Sequence, residues 1–128
     1  MSRVLVDTSA VIAGSQGEVP IASLPAEGAI SMVTLCELHH GVLVASRDQL
    51  AARLLSLDIA QRNFDALPVD HRVAPRFGQV MAEARRVNNA RPEIADALIA
   101  ATARTYDLPI FTRDRDFTAF PGIEVIFI

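Results

Sequence analysis

Five acidic residues stand out by their positions: Asp7, Glu37, Asp96, Asp114 and Asp116. Asp7 and Asp114 each sit just past a short apolar run, Val4-Leu5-Val6 and Ile110-Phe111-Thr112, whereas Glu37 and Asp96 fall in helix-like segments. Carboxylates that converge within a few ångströms repel one another and raise each other's pKa unless a cation lies among them. An all-oxygen donor set suits Mg2+ or Mn2+, which keep waters and bind through few carboxylates plus a substrate phosphate. Such a site can deprotonate a water for in-line attack on a phosphodiester. All five are candidates for such a site.

Each acid also has a plainer reading. Asp7 can cap the helix that follows it. Glu37 lies three residues after Thr34, which matches a capping box. Asp114 and Asp116 alternate with arginines in Thr112 to Phe117, as a solvated turn would. Asp96 is harder to explain away, because it lies within the almost wholly apolar stretch Ile94 to Ala101. A carboxylate there is expected to be buried, and a buried carboxylate needs an arginine, helix amides or a metal. The set, more than any one member, points to chemistry.

Other polar residues carry less. Glu37 and His40 share a helix face, but no second histidine cluster exists, so His39 and His40 read as surface or interface residues. Cys36, the only cysteine, reads as a small buried residue, and Gly41 as a point of close helix packing. One cysteine excludes an internal disulfide and a thiolate metal cage. No phosphate-cradling glycine loop or Gly-x-Ser-x-Gly elbow is present. One tyrosine and six phenylalanines offer no stacking track for single strands.

The net charge of -3 looks unfavourable for a nucleic-acid partner. Setting aside the five candidate acids, however, leaves ten acids against twelve basic residues, every one an arginine. Arginine forks suit phosphate oxygens, so an RNA substrate is permitted, with Arg85, Arg86, Arg91, Arg113 and Arg115 as candidate contacts. The 51% apolar content and mean hydropathy of +0.29 belong to a globular chain, and 128 residues suffice for a real core. No apolar stretch approaches the roughly 20 residues of a membrane span. Asp7 ends the first apolar run too early for a signal peptide, so the expected compartment is the cytoplasm.

These acids need a frame to bring them together. Strands are expected at Arg3–Val6, Ala29–Val33, Ile110–Thr112 and Val125–Ile128, with Leu67–Val69 as a connector or edge strand. Residues 14–28 read as a loop interrupted by a short helical piece. A helix begins at Ala10, and another is capped by Thr34 and runs to about Val44. A third spans Gln49–Phe64, with Leu50, Leu54, Leu57 and Ala60 on its inner face. A fourth starts at Asp70, where Pro75 must lie in the first turn or delay the start. The last, Glu93–Tyr106, has Pro92 in its first turn and stacks Ile94, Leu98, Ala101 and Thr105. Short apolar strands alternating with helices indicate an α/β fold with a mostly parallel sheet covered on both faces. Ligands of such sheets bind outside the carboxyl ends of the strands, where Asp7 and Asp114 lie.

The segments Val6-Asp7-Thr8-Ser9-Ala10, Glu37-Leu38-x-x-Gly41, Ile94 to Ala103 and Thr112 to Phe117 occur in the order that resembles a PIN domain. More narrowly, the chain resembles the VapC-type toxins of bacterial toxin–antitoxin pairs. The likeness covers nearly the whole chain, residues 1–128 as a single domain, and four loose motifs in order are together specific. It implies a PIN-like three-layer sandwich, a central mostly parallel sheet flanked by helices, with the acids at one end. By that match Asp7 and Asp96 are the principal metal ligands, Glu37 acts through a water on the cation, and Asp114 and Asp116 complete the cluster. Thr8, Ser9 and Thr112 orient the carboxylates. The resemblance further implies a Mg2+- or Mn2+-dependent endoribonuclease acting on structured RNA, often tRNA, a homodimer, and silencing by a VapB-like antitoxin. One departure is visible. The family turn often spaces its Asn and Asp by three steps, but two steps separate Asp114 from Asp116, which leaves the inner metal position open between them, with Asp114 favoured as nearer the strand end.

Two rival classes remain beside the nuclease. A catalytically silent PIN-like module binding RNA or protein has no need of an intact acid set. A phosphatase or receiver-like domain using Asp7 covalently would carry a second acid two residues on, where this chain has Ser9.

Overall fold

Strands of three or four apolar residues can be buried on both faces, because successive side chains point to opposite sides. The computed structural model describes residues 3–20 and 27–128 and shows this arrangement. In chain order the elements are β1 (Val4–Val6), α1 (Thr8–Ser15), β2 (Gly28–Ser31), α2 (Met32–Leu43), α3 (Arg47–Asn63) and β3 (Asp65–Leu67). There follow α4 (Val73–Asn88), α5 (Ile94–Thr105), β4 (Ile110–Thr112), a 3₁₀ helix (Arg115–Ala119) and β5 (Val125–Phe127). The strands form one parallel sheet in the order β3-β2-β1-β4-β5.

The alternation along β1 divides the core in two. Leu5, with Ala29 and Ile110 from its neighbours, packs under α4 and α5 against Val80, Ala100 and Phe117. Val4 and Val6, with Ile30 and Phe111, face the other way onto Ala10, Val11, Leu38 and Ala60 of the first three helices. Two helical layers thus sandwich the sheet, as expected from its apolar strands. Because every strand pair is parallel, β1, β2 and β4 end at the same edge, and the chain leaves each of them there. At the opposite end Gly28 lets Phe64 approach closely: a Cβ at this position would lie 2.5 Å from the ring. No helix among the described residues is long and apolar enough to cross a membrane.

Several local expectations are corrected. Thr34 is fully buried and does not cap α2; Ser31 does, its Oγ accepting from Val33 N at 3.1 Å. The capping-box explanation of Glu37 therefore fails, and a Ser46/Gln49 pair forms that motif on α3 instead. Gly14 and Ser15 belong to α1 and Gly28 to β2, and residues 21–26 of the expected loop, with any helical piece there, lie outside the described residues. The edge strand ends at Leu67 and does not include Pro68 or Val69. Asp70 precedes α4, its side chain accepting from Arg72 N at 3.0 Å, and Pro75 lies in the first turn, where its missing N–H costs nothing.

Pro92 stands before the α5 cap, Glu93. Ile94 is 66% exposed, so the inner face of α5 is built from Ala97, Ala100, Ala101 and their neighbours instead. On α3 the buried residues are Ser56 and Ala60, whereas Leu50 and Leu54 face outward. Cys36 is exposed, not buried. A Cβ at Gly41 would meet only Arg53, at 3.9 Å, so no close helix packing requires this glycine.

Candidate functional site

The end of β1 delivers Asp7 as the cap of α1. The carboxylate is 3% exposed, and its Oδ1 accepts from the Ser9 hydroxyl at 2.8 Å and from Ala10 N at 3.1 Å. Burial pushes its pKa above the ordinary carboxylate value, and the nearby Asp114 charge adds to that. Bonds from Ser9, Ala10 and Thr112 pull it back. The cap reading and the site reading of Asp7 are compatible, because one carboxylate oxygen serves the helix.

Ser9 also ties the β1 end to the β4 end. Its Oγ accepts from Arg113 N at 3.2 Å and lies 3.3 Å from Thr112 Oγ1. Thr112 Oγ1 in turn accepts from Asp114 N at 2.8 Å. Hydroxyls next to two parallel strand ends thereby hold the acidic turn in register with Asp7. From the β2 end, Glu37 stands beyond the first turn of α2, and its Oε1 accepts the Thr8 hydroxyl at 2.6 Å. Thr8 Oγ1 also lies 3.1 Å from Thr34 Oγ1, so the buried Thr34 steadies the residue that orients Glu37.

Across the same edge, Asp96 meets the acidic turn. Oxygens of Asp96, Asp114 and Asp116 lie within 4.8 Å of one another. Asp114 and Asp96 are half-buried and Asp116 is exposed. Asp96 occupies the first turn of α5, at the positive end of the helix dipole, and is less enclosed than its apolar neighbours imply. None of the ion pairs among the described residues includes it. Burial, then the charges of Asp114, Glu93, Glu37 and Asp116, push its pKa up to about 6. Asp7 and Glu37 stand outside the trio, yet Asp114 acts electrostatically on Asp7 and Glu37 on Asp96.

The donor set fits a hard divalent cation. Three carboxylate oxygens converge, no sulfur or imidazole takes part, and burial, then mutual repulsion, keeps one proton affinity high. Sequence reasoning missed Glu93, one step outside the apolar run, which adds its charge to Asp96. It also missed Thr34 as a partner of Thr8, because the capping-box match gave that residue another role. Of the candidate arginines, Arg113 pairs with Glu18.

A family model described as the PIN domain matches residues 4–123. The chain belongs to the PIN-domain family. Its relatives are VapC-type proteins. Ribonuclease VapC4 of Mycobacterium tuberculosis is 39% identical over 102 residues, covering 80% of this chain and 78% of that protein. Ribonuclease VapC5 of the same organism is 35% identical, covering 95% and 93%. Among solved structures, VapBC-5 from M. tuberculosis, a member of the VapBC family of toxin-antitoxin systems, superposes with a TM-score of 0.84 at 33% identity over the full length of both chains. FitAcB from Neisseria gonorrhoeae gives 0.74 at 27% identity, covering 96% of each chain. This PIN domain thus has both the sheet and the carboxyl-end acids that the sequence motifs imply.

Proposed function

We propose that this PIN domain is a metal-dependent endoribonuclease, the toxin of a toxin–antitoxin pair, hydrolysing phosphodiester bonds of RNA, with tRNA among its substrates. The convergence of Asp96, Asp114 and Asp116 carries this reading, and the likeness to named VapC ribonucleases supports it. Those three carboxylates would hold Mg2+ or Mn2+, with Asp7 behind them as a further ligand. A cation of this kind supplies a Lewis acid that offsets phosphate charge and makes water more acidic. Glu37, oriented through Oε1 by Thr8, keeps Oε2 free to accept the proton of the attacking water. As the new phosphorus–oxygen bond forms, the bond to the leaving oxygen breaks and that oxygen takes up a proton. Ser9 and Thr112 keep the Asp7 carboxylate and the acidic turn in place during the reaction.

The domain, residues 1–128 acting as one unit in the cytoplasm, would form a homodimer and be silenced by a VapB-like antitoxin. A cavity of about 650 Å³ between α1, α2 and α3 supports the antitoxin part, because its lining joins Glu37 and His40 to the apolar Ile12, Leu38 and the exposed Val44. An amphipathic segment seated there would reach the catalytic acids.

The test is internal cleavage of RNA by the purified protein with Mg2+ or Mn2+, abolished in Asp7→Asn and Asp96→Asn. Undiminished cleavage by Asp96→Asn overturns the assignment. Growth arrest on expression, relieved by a co-expressed antitoxin, identifies a toxin. Titration with Mn2+ that shows no carboxylate-dependent uptake would favour a silent binding module.

A further inference from the structure

We propose that the RNA strand is threaded past the three acids along a second groove, in which Arg91 and Arg115 each bind a backbone phosphate next to the one being cut. The inference rests on the ribonuclease reading and names a substrate track that the acid motifs do not. The groove, about 590 Å³, lies between the α4–α5 connection and the 3₁₀ helix, and its lining includes Asn88, Arg91, Glu93, Asp96, Arg115 and Asp116. It therefore opens onto two members of the carboxylate trio. A strand with one phosphate at the trio has its neighbouring phosphates within one nucleotide, and the groove begins there.

Both arginines are exposed, and neither takes part in an ion pair among the described residues. Arg115 is nevertheless held in place: its Cζ lies 4.1 Å from the ring centroid of Phe127 on β5. Stacking engages the face of a guanidinium and leaves its N–H edge directed outward, the edge that matches phosphate oxygens. The groove walls are also joined, because Asn88 Nδ2 donates to Ala119 O at 2.9 Å, linking the end of α4 to the 3₁₀ helix. Arg113, the other arginine of the acidic turn, pairs with Glu18. Glu93, Asp96 and Asp116 line the groove too, and alone they would repel RNA. A divalent cation at the trio offsets two of its three carboxylate charges, and the two arginines balance the third together with Glu93, so the groove no longer repels a phosphate.

The test pairs steady-state cleavage with binding. Arg91→Gln and Arg115→Gln are each expected to raise KM for a short single-stranded RNA about fivefold, with kcat within about twofold. In a Glu37→Gln background, which removes the proton acceptor and keeps the trio intact, fluorescence anisotropy of the same RNA against salt reads the phosphate contacts directly. The slope of log K against log salt should shrink by about 0.7 for each arginine removed. Arg91→Lys and Arg115→Lys should restore most of that slope. Arg76→Ala, twelve residues before Asn88 on α4 and so roughly 18 Å away along the helix, should leave it unchanged. Unchanged KM and slope in the double glutamine variant overturn the proposal, as does a loss confined to binding of an acidic protein partner. Failure of the ribonuclease reading is separable: wild-type protein would then not cleave at all, while the salt slope still reports whether RNA occupies the groove.

Discussion

Asp114 positions Asp116 directly: its Oδ1 accepts the backbone N–H of Asp116 at 2.8 Å, so one carboxylate both caps the 3₁₀ helix and contributes to the acid trio. The two functions separate by substitution. Asp114→Asn keeps an oxygen acceptor for the cap but removes the charge, whereas Asp114→Ala removes both. In urea unfolding without metal, Asp114→Ala should lose about 1 kcal/mol and Asp114→Asn much less. Both should lose Mn2+ uptake in calorimetric titration, and full uptake by Asp114→Asn would remove Asp114 from the ligand set.

Ser9 is expected to be a positioning residue. Its hydroxyl donates to Asp7 and accepts from Arg113 N, so Ser9→Ala frees both strand ends. Activity should fall about 10- to 100-fold, as for other groups that orient a metal ligand. The Ser9 bond lowers the Asp7 pKa, so its loss raises it, and the acidic limb of the kcat profile should move to higher pH. A proportional fall at every pH would indicate a purely structural role.

The metal-free protein should be more stable at pH 5 than at pH 7.5. Asp96 is raised to about 6 from 3.8, so the folded chain binds this proton more tightly than the unfolded chain. The resulting stabilisation is complete below about pH 4 and is lost as pH rises through about 6. Asp7 shifts in the same direction. Asp70 and Glu83, lowered by Arg72 and Arg104, act oppositely but only toward more acidic pH. Thermal melts in chelator should show roughly 3–5 °C between the two pH values. Asp96→Asn should reduce the difference; an equal difference in that variant would reject Asp96 as its source.

Away from the site, Arg104 joins three elements. It reaches both Glu83 oxygens at 3.0 Å and Pro121 O at 3.0 Å, with its side chain 18% exposed. Arg104→Ala should cost about 2 kcal/mol, a melting shift on the order of 6–10 °C. Mn2+ affinity should be unchanged, because Arg104 lies eight residues, roughly 12 Å, along α5 from Asp96. A matching loss of metal binding would show that the α5 position depends on this pair.

What the sequence determined by itself was local. A β-branched run stopped by Asp7 reads as a strand feeding a helix, and three further runs read as strands, because backbone preference and burial period act over a few residues. The parallel sheet and the position of Asp7 and Asp114 beyond strand ends followed from that pattern. Partnership across the chain did not. Thr34, with Glu37 three residues on, matches a capping box and Ser31 does not, yet Ser31 is the cap; only the packing of α2 against the sheet buried Thr34 and turned it toward Thr8, 26 residues away. Leu50 and Leu54 form an apolar stripe whose side of α3 depends on where α1 and α2 lie. The meeting of Asp96 with Asp114 and Asp116 likewise required the tertiary structure, since mutual repulsion opposes it and only the packing of α5 beside the β4 turn brings the three together.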